Sequence, residues 1–155
     1  MSYCTLDDMK KAMSEATIIQ CTDDEALTPE ALDVDDPEQA AIMERITGAM
    51  IDADELIDGF LRGRYILPLT TTPKLLIRCA VDLVSFLLYS RRLDLEMPDS
   101  MQMRYKNALK LLENIRDGKI SLGIDTAEAA AEPGEYKTNK TASDRVFSRG
   151  VLDKF

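Results

Sequence analysis

The chain has 155 residues, 45% apolar and 30% charged, with a net charge of −9. That is enough for one domain with a real core and an ordinary soluble balance. The absence of histidine removes the commonest general base and metal ligand. Overall acidity opposes non-specific nucleic-acid binding, and an odd set of widely spaced cysteines (Cys4, Cys21, Cys79) opposes both a disulfide framework and a thiolate metal cluster.

The charge is unevenly distributed. Residues 1–58 hold 3 basic and 16 acidic side chains, a balance of −13, whereas residues 59–118 hold 10 and 6, a balance of +4. Such polarity suits head-to-tail self-association, although a solvated acidic loop would read the same way. The run Leu75–Tyr89 is interrupted by Arg78 and Asp82 and is too short for a bilayer, and Asp7 and Asp8 stand where a signal peptide would be basic or apolar. An intracellular, soluble protein is the expectation.

In chain order, Thr5-Leu-Asp-Asp8 reads as a capped helix start, and Met9, Ala12 and Met13 fall on one face of a short helix ending near Ser14. Ala16–Cys21 fits either a strand or a buried helical turn. Residues 22–36 are acidic and read as a loop with one helical turn after Thr28. Asp36-Pro37 begins a second helix running to Arg62. Its apolar stripe holds Ile42, Ile46, Ala49, Met50, Ala53, Ile57 and Leu61. Gly59 is expected to admit a close backbone near Phe60, and Gly63 to cap the helix.

The chain then crosses through Arg64–Leu69 to Thr72-Pro73, which starts a third helix so nearly apolar all round that it must be the core. Within its narrow polar strip, Arg78 and Asp82 form an i,i+4 pair. Arg91 and Arg92 close it with positive charge, and Pro98 opens a fourth helix that Gly118 stops. Ile120, Leu122 and Ile124 alternate as a short strand or an extended arm. Residues 125–143 read as a flexible linker, and 144–155 as a docking segment carrying Val146, Phe147, Val151, Leu152 and Phe155. The expected architecture is all-α. About four helices form a small bundle over residues 1–124, with two long antiparallel helices at the centre and an extended C-terminal arm.

No enzyme chemistry emerges. There is no glycine-rich phosphate loop, and Ser143 and Ser148 lack a nearby base. Asp52, Asp54, Glu55 and Asp58 have the charge for a cation but not the ligand spacing of a calcium loop, so a solvated acidic face is the simpler reading. No catalytic, cofactor or metal residues are expected. Candidate protein-interface residues are Arg62, Arg64 and Tyr65 at the crossing, Arg91 and Arg92 at the core-helix end, and Arg145, Phe147, Arg149, Leu152 and Phe155 in the terminal segment. For Tyr65 the competing reading is a plug at the end of the bundle.

Several segments together resemble the head–tail connector proteins of Mu-like phages and prophages. They are Asp58-Gly-Phe-Leu-Arg-Gly-Arg-Tyr-Ile-Leu-Pro-Leu69, Pro73 with the apolar helix to Leu88-Tyr-Ser-Arg-Arg92, Arg104-Tyr105 with Leu112, Asp117-Gly118, and Asp144-Arg-Val-Phe-Ser-Arg149 with Leu152 and Phe155. The resemblance implies a non-enzymatic adaptor in the virion neck, made in the bacterial cytoplasm. It would form a homo-oligomeric ring, dodecameric to match the portal, whose partners are the portal protein and tail-side neck proteins. No cofactor, membrane or sequence-specific nucleic acid belongs to that picture. The alternative from another class is a small helical interaction or regulatory module of phage origin. A DNA reader would need a basic helix, and Glu113 and Asp117 dilute the nearest candidate, Arg104–Arg116.

Overall fold

A computed structural model describes residues 2–124. The linker and docking segment expected over 125–155 lie outside the described residues. Five α-helices and one 3-10 turn follow in order: α1 (Leu6–Ala12), α2 (Glu15–Thr22), the turn Pro37–Gln39, α3 (Ala40–Leu61), α4 (Lys74–Ser90) and α5 (Asp99–Arg116). Among the described residues there is no strand, so the all-α expectation holds with one helix more than expected.

The extra helix is α2, whose segment periodicity left undecided. Ser14 starts it: its side chain accepts from the Thr17 N–H at 3.2 Å, and Ile18, Ile19 and Cys21 are buried. α1 begins as expected, with a reciprocal capping box in which Asp8 N–H donates to Thr5 Oγ1 and Thr5 N–H donates back to the Asp8 carboxylate. At Asp36-Pro37 the cap forms, but it opens a single 3-10 turn before α3 takes over at Ala40. No helical turn follows Thr28; Ala26 and Thr28 instead adopt left-handed backbone, with φ of 57° and 49°.

Three long helices form the body. α3, α4 and α5 pack against one another, α1 lies on α4, and α2 lies across α3 and α4. The C-terminal end of α4 and the N-terminal part of α3 share one partner, because Arg91 and Arg45 both bind Asp24. α3 and α4 therefore run antiparallel. Ile42, Ile46, Ala53, Ile57 and Leu61 of α3 meet Leu76, Leu83, Val84 and Leu88 of α4 and Leu112 and Ile115 of α5 in a single core. Each large aliphatic side chain removed from water there contributes about 1.5–3 kcal/mol. Phe86 and Tyr105 stack at 3.8 Å between ring centroids, 15° from parallel, on the α4–α5 seam.

Two glycine expectations fail. A Cβ on Gly59 would meet nothing within 4 Å, so no backbone approaches there. Gly63 is not among the left-handed glycines; α3 ends instead with Arg64 and Tyr65 N–H groups donating to the Leu61 carbonyl. Gly118 does end α5, at φ 78°. The carbonyl of Asn114, near that end, accepts from Lys119 and Ile120. Ile120, Leu122 and Ile124 form no strand but pack, partly buried, on the core.

Candidate protein interface

The side chains singled out for partner contact separate into two places in the fold. At the α3–α4 crossing, Tyr65 is 2% exposed, and its hydroxyl accepts from the Leu122 N–H at 3.1 Å. It plugs the bundle end. Arg64 lies over the Tyr65 ring, 5.7 Å from its centroid, and donates through Nη1 to the Ile115 carbonyl at 2.9 Å. A guanidinium on the last carbonyls of α5 is where the helix dipole favours positive charge. Arg62 stays exposed at the α3 terminus. Of this group, Arg64 and Tyr65 make contacts within the chain, Tyr65 as the bundle-end plug of the competing reading.

Arg91 and Arg92 have partners within the chain too. Arg91 donates to the Cys21 carbonyl at 2.7 Å and to Asp24. Arg92 pairs with Asp94 at 2.8 Å and reaches Asp24 at 3.4 Å. Arg45 of α3 completes the group by binding Glu25, Asp24 and the Thr22 carbonyl. α2 has no basic residue in its last turn, so arginines from α3 and α4 supply the positive charge its C-terminal carbonyls favour. Hydrogen bonds from Arg91 hold the Asp24 carboxyl below its ordinary range, and those from Arg45 do the same for Glu25. Asp94 is held at about 2 by Arg92. Part of the acidic first third is thus neutralised by this chain's own basic middle.

Sequence reading missed Arg45 and Asp24 because the partners are far apart in the chain and no local pattern links them. It also misassigned Asp82. That residue is 7% exposed and pairs with Arg104 of α5, Nε to Oδ1 at 2.9 Å, rather than with Arg78. On the acidic face of α3, Asp54 accepts from the Tyr3 N–H at 2.9 Å and Asp58 accepts from the Tyr3 hydroxyl. Two of the four carboxylates weighed for a cation therefore fasten the N-terminal segment. Burial raises the Tyr3 pKa, with Asp58 adding to it. Among the described residues no three His, Cys, Asp or Glu side chains are placed to hold a metal ion. Within the described residues no helix is long and apolar enough to cross a membrane. Arg145, Phe147, Arg149, Leu152 and Phe155 lie outside the described residues.

With this geometry in view, comparison with known proteins places the small all-α domain among the proteins of Mu-like phages. The family described as "Bacteriophage Mu, Gp36" matches residues 3–140, and the chain belongs to that family. It is 34% identical over 101 residues to "Gene product J" of Escherichia phage Mu, covering 65% of this chain and 69% of that protein. It is 28% identical over 130 residues to "Mu-like prophage FluMu protein gp36" of Haemophilus influenzae, covering 84% of each.

Proposed function

We propose that the protein is a structural head–tail connector. In this reading it is a non-enzymatic adaptor that forms a homo-oligomeric ring, dodecameric when seated on the portal, and presents the docking surface for tail-side neck proteins. Its place is the virion neck, reached after synthesis in the host cytoplasm. The observation that carries the reading is membership of the Mu Gp36 family over residues 3–140. A rigid helical body with arginines fastening its loops supports it, because a ring subunit needs a surface that keeps its shape on assembly. Residues 1–124 would then be the adaptor body, and 125–155 a linker and docking segment. Electron microscopy of the full chain mixed with the portal of the same phage tests this. A ring of density below the portal is the expected result. Absence of any complex at high protein concentration overturns it.

A further inference from the structure

With Asp24 and Glu25 paired to Arg45, Arg91 and Arg92, two other surfaces of unlike charge face solvent. One is a cleft of about 240 Å³ between α1, α4 and the start of α5. Lys11, Lys74, Arg78 and Arg104 line it, over an apolar floor of Ile77 and Val81. Its two carboxylates are already occupied, Asp8 by the α1 cap and Lys11, and Asp82 by Arg104. Lys74 and Arg78 are exposed and have no ion-pair partner among the described residues.

The other place is the segment 30–38 ahead of α3. Glu30, Asp33, Asp35, Asp36 and Glu38 have no cationic partner there among the described residues. Val34, in the middle of these carboxylates, stands 65% exposed. An apolar side chain flanked by unpaired carboxylates on one surface, and a basic cleft with an apolar floor on another, complement each other in both charge and polarity.

We infer that segment 30–38 of one copy docks into the Lys74–Arg78 cleft of a second copy, with Val34 against Ile77 and Val81. This contact rests on the ring reading above and specifies which surfaces meet. It joins two different patches, so it is heterologous and propagates from copy to copy until the rotation closes a ring. Its charged rim is exposed, so association weakens as salt rises.

A charge-swap experiment on the full chain tests it. K74E/R78E makes the cleft acidic, and E30K/D35K/E38K makes the segment basic by setting three lysines against the two remaining carboxylates; all five residues are exposed. Sedimentation velocity is run on wild type, each variant and an equimolar mixture, alone and with the portal protein. The expected result is wild-type assembly, folded but non-assembling single variants with unchanged circular dichroism, and assembly restored in the mixture, where every cleft again meets a segment of opposite charge. Variants that assemble like wild type, or folded variants whose mixture stays unassembled, overturn this contact and leave the ring reading standing. Wild type that assembles in neither condition overturns both.

Discussion

Arg104 reaches across from α5 to Asp82 on α4, and the pair is lopsided: the Asp82 side chain is 10% exposed and the Arg104 side chain 46%. The carboxylate cannot return to water without disturbing the seam, whereas the guanidinium can. Arg104→Met should therefore cost about 1–3 kcal/mol by stranding a buried charge. Asp82→Asn should cost less, and the double replacement D82L/R104M should recover most of the loss. Urea unfolding followed by circular dichroism ranks the three. An R104M midpoint equal to wild type would show the pair to be without weight.

Acid should loosen the arginine cluster at the end of α2. Asp24, Glu25 and Asp94 have folded-state pKa values below their unfolded ones, so the folded state holds fewer protons. Their contribution is complete above the unfolded carboxylate value of about 4 and is lost as pH falls through the folded values. Tm followed from about pH 5 down to about pH 2 should drop more steeply in wild type than in Asp24→Asn. Parallel curves would remove Asp24 from the account.

Gly118 and Arg64 make a coupled pair at the other end of the bundle. A Cβ on Gly118 would sit 2.8 Å from Arg64 Nη1, and the residue's φ of 78° disfavours any L side chain. Gly118→Ala should cost about 1–2 kcal/mol through the left-handed backbone. In an Arg64→Ala background only the crowding disappears, so a double-mutant cycle separates the two effects. Arg64→Glu should cost about 1–2 kcal/mol by removing the bond to Ile115 and placing a carboxylate against helix-end carbonyls. No stability change in that variant would show that the bond to Ile115 carries no weight in the fold.

All three thiols should be silent in the native state. Burial pushes Cys4 up to about 12 and Cys21 and Cys79 up to about 11, and each is 2% exposed or less. Labelling with a thiol reagent near pH 8 should proceed only through opening of the fold. A cysteine that reacts within seconds would place its segment outside the stable core.

Where the sequence spoke clearly, the signal was local. Thr5 with Asp8, Asp36 with Pro37, and the α3 stripe from Ile42 to Leu61 each announce themselves within a few positions. α4 is legible because a helix apolar on nearly every side has only one place to go. What stayed hidden was every fastening between distant segments. Tyr3 with Asp58, Arg45 with Asp24 and Arg104 with Asp82 join residues that no helical or strand period connects. The contacts that Arg64, Tyr65, Arg91 and Arg92 make within the chain were hidden in the same way behind their candidacy as partner contacts. Arginine and tyrosine favour interfaces between chains and seams within one for the same reasons of reach and amphipathicity.

Because α2 borrows its C-terminal charge from Arg45, Arg91 and Arg92, its stability is deferred during synthesis. The segment is made before all of them, and although Arg45 follows with α3, Arg91 and Arg92 emerge only after the whole of α4. Until then residues 15–22 are a two-turn helix without its far-end cap, too short to persist in water unaided. The amino-terminal helices thus cannot lock before α4 is complete, and amide exchange should find α2 opening more readily than α3 or α4.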